Sequence, residues 1–278
     1  MSRRAVTVVL SGGGAKAAAH IGAVRALVEA GMTPARFVAT SMGAVIAAGL
    51  ANGIPGDELL DRLTEVGARG ISRDPLALLR GLFARSLMRP APFRRALEAL
   101  VPARRFADLQ IPLTVSVTDL DSGELLLYGA GGRDAPLRDV LAATTALPLY
   151  YPPVRLDGRR CGDGGLRGVL PLEAAAHLGN EPIVAVDVGP GFEASVEAAP
   201  PAGPPLVRAH DEAVGTLMAA HTQEQLARWR AEAGRPPLTY VRPTIERYAT
   251  FRVERMREYA EQGYRATREA IARSAART

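Results

Sequence analysis

A serine, a carboxylate and a run of glycines are the residues of this 278-residue chain best suited to chemistry. Ser41 lies in Ala39-Thr40-Ser41-Met42-Gly43, with a small residue two positions before it and two after. An apolar run ends at Ala39, and Gly43 to Ala51 is apolar on every side. That setting fits a sharp strand-to-helix turn, which pushes a hydroxyl out of the sheet edge and leaves no room for bulky neighbours. It equally fits a helix N-cap, a position that serine favours. Asp163 stands among three glycines in Gly162-Asp163-Gly164-Gly165. Asp-Gly is ordinary turn chemistry, and flanking glycines also let a carboxylate approach a nucleophile closely. Gly12-Gly13-Gly14 offers backbone N–H groups at the start of a helical pattern. Such a loop cradles a phosphate or faces a developing oxyanion. The phosphate reading fails, because Lys16 is followed by Ala17 and the G-x-G-x-x-G spacing is not met.

These groups need elements to hold them. Val6 to Leu10 reads as a β-branched strand, the glycines as a loop, and Ala15 to Ala30 as a helix stopped by Gly31. Phe37 to Thr40 and the Ser41 helix follow, so the chain opens β, α, β, α with short connections, the mark of an α/β fold. Residues 56–105 read as an arginine-rich helical cap or insertion cut by prolines. Leu113 to Thr118 and Leu125 to Tyr128 read as paired strands across an Asp-Ser-Gly turn. A helix is expected near Leu137 to Ala143, then a proline-aromatic loop from Leu147 to Val154 that leads through Arg159-Arg160-Cys161 to Asp163. A helix from Leu172 to Leu178 and a strand from Ile183 to Val188 come next. A Pro, Gly and Ala-rich stretch at about 189–205 reads as a flexible loop. The C-terminal region, 206–278, reads as helical, with a long helix from Val207 to Ala233, a short strand Leu238 to Val241 and a helix from Phe251 to Ala276. Length favours one domain over 1–278.

Composition narrows the classes. Hydrophobic residues make up 47% of the chain, and the apolar runs are too short to cross a bilayer. The basic start runs directly into the glycines and reads as a first strand rather than a leader. Cys161 is the sole cysteine, which excludes an intrachain disulfide and suits a cytoplasmic setting, with peripheral contact at a membrane; it reads as a small buried hydrophobe. The net charge of +5 permits attraction to lipid phosphates. No recognition motif or aromatic platform supports nucleic acid as a partner. Four histidines and one cysteine show no ligand spacing, so no metal and no cofactor are expected.

Gly12-Gly13-Gly14-Ala15-Lys16, Ala39-Thr40-Ser41-Met42-Gly43 and Asp163-Gly164-Gly165, in that order, resemble the patatin-like phospholipase family. Thr118 to Glu124 and Ala142 to Val154 are similar to connecting segments of its bacterial members. The likeness covers about Val6 to Val188. Ala39 replaces a glycine, Ala17 stands where a glycine commonly follows the basic residue, and Gly168-Val169 stands where an asparagine is often seen. The resemblance implies a three-layer α/β/α fold with a mainly parallel central sheet. It also implies a Ser41 and Asp163 dyad that hydrolyses acyl esters of lipids, an oxyanion hole at Gly12, Gly13 and Gly14, and Lys16 supporting that loop.

Two other readings compete. A triad of Ser41, Asp163 or Asp187, and His210 or His221 has the chain order of an α/β-hydrolase. His210 and His221 lie inside an expected long helix, an unusual place for a catalytic histidine; His177 at a helix end suits the terminal carbonyls, and His20, one turn after the glycines, reads as a packing or hydrogen-bonded helix residue. The third reading is a silent member of the fold that binds membrane or a protein.

Overall fold

The glycine loop and Ser41 leave two neighbouring strands side by side. In the computed structural model, which describes residues 4–68, 86–192, 204–246 and 250–276, strand β1 (Arg4–Leu10) pairs in parallel with β2 (Met32–Thr40), and Leu10 lies opposite Ala39. Both strands therefore turn at the carboxyl end of the sheet, where open α/β sheets place their ligands. Val6, Val8 and Leu10 face one layer and Val9 the other, as the two-residue period of a doubly covered strand requires.

Among the described residues the sheet has eight strands. β3 (Leu113–Asp119), β7 (Ile183–Val186) and β8 (Leu238–Val241) extend the parallel set, with β7 beside β1 and β8 outermost. β4 (Leu125–Gly129) and β6 (Arg159–Asp163) run antiparallel to β3, and β5 (Val154–Leu156) antiparallel to β6. Since β4 covers Thr114 to Thr118 on one edge of β3, its other edge is shared. β2 takes Leu113 to Ser116 there and β6 takes Val117 to Asp119. β6 thus occupies the edge at the point where β2 turns away. Thr40 pairs with Ser116 and Asp163 with Val117, which brings Ser41, next after Thr40, to Asp163, 122 positions away in the chain.

Helices cover both faces. The larger core joins the sheet to α1 (Ala19–Glu29), α2 (Ser41–Ala51), α3 (Gly56–Ala68), α4 (Pro90–Leu100), α5 (Leu137–Thr144) and the last helix, α9 (Met256–Ala275). The smaller one holds α7 (Leu172–Leu178) and α8 (Pro205–Ala231), with Leu226 and Trp229 packed over Val9, Val38 and Ala185. A one-turn helix, α6 (Gly165–Gly168), follows β6 directly. In the stretch 56–105, α3 and α4 bury Leu59, Leu63, Phe93, Leu97 and Leu100 in the larger core; residues 69–85 lie outside the described residues. So do residues 193–203 of the expected loop.

Residues 154–163, where the expected proline-aromatic loop ends and no strand is read from the sequence, hold an element that the sequence does not show. They form the β5–β6 hairpin. Asp157 and Gly158, both at positive φ (49 and 80), make its turn, the pairing that a right-twisted hairpin selects.

α1 and α9 touch backbone to backbone. A Cβ on Gly22 would lie 1.8 Å from the Ala260 carbonyl oxygen, and one on Gly263 would lie 1.9 Å from that of Ala19. Both glycines are fixed by this crossing, since neither neighbour is a side chain that can swing away. Gly22→Ala and Gly263→Ala should each lower unfolding free energy by ~1–3 kcal/mol, the usual range for overpacking. Urea denaturation of the two single variants measures it.

Candidate active site

Ser41 begins α2 as its first helical residue, and the cap position belongs to Thr40. The N-cap role is therefore overturned, because the Ser41 hydroxyl caps no amide and instead donates to Asp163 Oδ2 at 2.7 Å. Ser41 has a φ of 53, in the left-handed region that residues with a side chain seldom occupy. The turn is tight because α2 starts directly on β1. A Cβ on Gly43 would lie 2.3 Å from the Ser11 carbonyl oxygen, whereas Ala39, buried opposite Leu10, is accommodated. Only one of the two small positions has to be glycine.

Asp163 is 4% exposed at the end of β6. Its Oδ1 accepts the Gly165 N–H at 2.8 Å, and Thr118 and Ala146 hold its backbone. Gly164 is needed beside it, since a Cβ there would lie 2.4 Å from the Ser116 carbonyl oxygen. Burial raises the Asp163 carboxyl to about 6, and the hydrogen bonds from Ser41 and Gly165 oppose the rise. Desolvation wins. The carboxylate holds a proton almost as firmly as imidazole does in water.

The glycine loop packs against both. Gly12 lies against Ser41, where a Cβ would come 3.0 Å from Ser41 Cβ. Its N–H donates to the Val169 carbonyl at 3.0 Å, so Gly12 anchors the loop and is not an open donor. Ala15 N–H donates to Thr250 O at 2.8 Å. Among the described residues, no acceptor bonds the amides of Gly13 and Gly14 between them. Lys16 is buried at 4% exposure, against the exposed side chain considered for it, and its Nζ donates to the Gly189 carbonyl at 3.5 Å. It ties the turn after the glycines (Gly14–Ala18) to the segment following β7.

No histidine hydrogen-bonds Ser41 or Asp163. His210 Nδ1 lies 3.1 Å from Asp211 Oδ1, and His221 packs near Gly168. Asp187 is occupied by the Gly189 N–H, Tyr240 and Arg242. His20 is fully buried and donates from Nε2 to Ser11 O at 2.9 Å; burial lowers its pKa to about 4, so it is a neutral packing residue. The triad is not assembled. Among the described residues, no cluster of His, Cys, Asp and Glu could hold a metal ion.

Two supporting hydroxyls escaped sequence reading. Thr144 Oγ1 accepts the Ser41 N–H at 2.8 Å and donates to Ser116 O at 2.6 Å, so α5 holds the amide of the strained residue. Ser11 Oγ accepts Val188 N–H at 2.8 Å and donates to Gly12 O at 3.1 Å. Nothing in the spacing of Thr144 marks it, whereas Ser11 adjoins the glycines. Thr144→Val should leave the Ser41 amide unpaired and displace the hydroxyl, lowering kcat on a soluble ester about tenfold with little change in KM. Equal kcat in steady-state assays would remove Thr144 from the site.

A family model described as Patatin-like phospholipase matches residues 8–176, which include every one of these groups except the segments after β7. The chain belongs to the patatin-like phospholipase family. A patatin-like phospholipase domain-containing protein of Caenorhabditis elegans is 28% identical over 97% of this chain and 21% of its own length. An uncharacterized NTE family protein of Mycobacterium bovis is 31% identical over 68% of this chain and 50% of its own. The chain thus spans half or less of these curated relatives. The crystal structure of VipD from Legionella pneumophila is similar in fold, with a TM-score of 0.50 and 14% identity over 98% of this chain and 67% of VipD. The patatin-like three-layer α/β/α architecture is therefore the one found here.

Proposed function

We propose that this patatin-like chain is a serine lipid acyl hydrolase in which Ser41 and Asp163 work as a dyad. The observation that carries the reading is the 2.7 Å hydrogen bond from the Ser41 hydroxyl to a buried carboxylate whose proton affinity burial has raised. Asp163 takes the Ser41 proton as Oγ attacks the ester carbonyl. Negative charge develops on the carbonyl oxygen, facing the Gly13 and Gly14 amides. The protonated Asp163 then donates to the leaving alkoxide, which departs as an alcohol and leaves an acyl-serine. Water, deprotonated by the same carboxylate, attacks the acyl-serine; as the C–O bond to Ser41 breaks, Asp163 returns that proton to Ser41 Oγ, which releases the carboxylic acid and restores the dyad. No step needs a metal or a cofactor.

Phospholipids and lysophospholipids are the substrate class proposed, with peripheral contact at the lipid surface. No helix among the described residues is long and apolar enough to cross a membrane. Exposed Leu217 neighbours Met218, which reaches Gly165 beside the dyad, and exposed Phe251 follows Thr250, which touches Gly14. Both exposed residues thus directly follow or precede, in the chain, residues that approach the site.

A fluorophosphonate probe tests the chemistry: it should label the parent chain at Ser41, and an unlabelled but folded parent would leave the catalytically silent reading instead. The pH profile is a second test. Asp163 must be ionised to accept the proton, so kcat/KM on a soluble ester should climb about tenfold per pH unit below about pH 6 and flatten above it. A profile that is flat from pH 4.5 to 8 would remove Asp163 as the base.

A further inference from the structure

α5 has a second side. Thr144 turns inward to the Ser41 amide, while Ala142 and Asp139 line a cavity of ≈ 350 Å³. Two residues along a helix is about 200° of rotation, so this cavity lies across α5 from Thr144, and neither Ser41 nor Asp163 lines it. Its walls are mostly apolar. Phe93 and Tyr151 lie with ring centroids 4.8 Å apart, next to Pro152, Pro153 and Val154.

The polar groups around it are few. Arg94 is paired with Asp139 at 2.8 Å, which neutralises both. Arg155 donates only to the Gly158 carbonyl at 3.1 Å, and among the described residues no carboxylate pairs with it. The Tyr151 hydroxyl has no hydrogen-bond partner among the described residues, and burial raises its phenol above the ordinary value, so it remains a neutral O–H donor. The cavity therefore combines an apolar trough with one net positive charge and one unused hydroxyl donor. Small-molecule sites have this composition, with mostly apolar walls and a few polar groups that fix orientation.

We propose that this cavity is a binding site for a single acyl chain with an anionic head, distinct from the dyad. The chain lies along Phe93, Tyr151, Pro152 and Val154. The head meets Arg155 and the Tyr151 hydroxyl. A fatty carboxylate or the phosphate of a lysophospholipid meets this requirement equally. The link to lipid hydrolysis rests on the function proposed above, whereas the site itself rests on the cavity.

Binding is read on the Ser41→Ala variant, which cannot turn over the ligand, so failure here stays separate from failure of the hydrolase reading, which the fluorophosphonate and ester assays report. Calorimetric titration with dodecanoate, lauroyl lysophosphatidate and uncharged dodecanol tests the site. One or both anions should bind, with dodecanol at least tenfold weaker. Arg155→Gln, at an exposed side chain and checked for an unchanged melting temperature, should weaken the anions at least tenfold and leave dodecanol unchanged. Tyr151→Phe should weaken them by a smaller factor, and Ala142→Leu should abolish binding by filling the trough. Response to dodecanoate alone identifies a carboxylate site, and to lysophosphatidate alone a phosphate site. Absence of binding by both anions, equal binding of dodecanol, or an Arg155→Gln variant that binds like its parent would each overturn the proposal.

Discussion

Ser41→Ala and Asp163→Asn are each expected to lose at least ~10³ in kcat on a short-chain ester, the scale seen when members of a catalytic unit are removed. The two should not be additive, because each step of the proposed reaction uses both groups at once. His210→Ala and His221→Ala should keep the activity of the parent. A dead but folded histidine variant would sink the dyad. Stability separates this from a folding effect, and the sign can be worked out. Asp163 has a folded pKa of about 6, above the ~3.9 of an unfolded aspartate. The folded state therefore holds the proton more tightly, and stability falls as pH rises from about 4 to about 6, then stays level. Two pK units correspond to up to about 3 kcal/mol of destabilisation at pH 8. Asparagine fits the same space, carries no charge and still accepts from Gly165. Asp163→Asn should accordingly melt above the parent at pH 8, with the gap closing towards pH 4. An inactive variant that melts lower at pH 8 would mean that Asp163 serves the fold and not the chemistry.

The strands and helices that place the dyad were legible because their signals are local. The β-branched run before Gly12, the apolar helix after Ser41, and the stretches Leu172 to Leu178 and Leu238 to Val241 carry their own periodicity, and the structure places elements there. The β5–β6 hairpin was hidden because the three residues of β5 give no period and β6 opens with Arg159 and Arg160, which look like surface. Asp157-Gly158 was its one available signal, a pair suited to a two-residue hairpin turn. The site divides in the same way. Ser41 and Asp163 stand out by their glycine frames, but that they meet depends on β2 and β6 sharing one edge of β3, a long-range pairing with no local mark. Burial of Lys16, the anchoring of Gly12 by Val169, and the service of Thr144 likewise depend on segments distant in the chain. Three equal glycines in the sequence have three unequal surroundings in the fold.

Those surroundings set the other large effect. Gly13→Ala should lower kcat on a soluble ester by ~10²–10³ with KM nearly unchanged, because the loop's amides act on charge that exists only in the transition state. The cause is space rather than backbone freedom. A Cβ on Gly13 would lie 2.7 Å from Val188 Cγ2 and 2.9 Å from the Val188 carbonyl oxygen. The side chain can yield and the carbonyl cannot, since Val188 N–H is fixed by Ser11 Oγ at 2.8 Å and Lys16 holds the next carbonyl, that of Gly189. The loop must therefore move, and the donors move with it. Adding Val188→Ala to Gly13→Ala removes the softer of the two collisions and should restore part of the lost kcat without reaching the parent. Gly31→Ala is the control, because a Cβ there meets nothing within 4 Å and the position is remote from Ser41. It should keep kcat despite its positive φ of 77, with any cost appearing in stability. Gly13→Ala with unchanged kcat would refute the oxyanion assignment, and a loss confined to KM would recast the loop as a ground-state binding surface. No recovery in the double variant would place the constraint wholly in the Val188 carbonyl, and so in the backbone path from β7 to the loop.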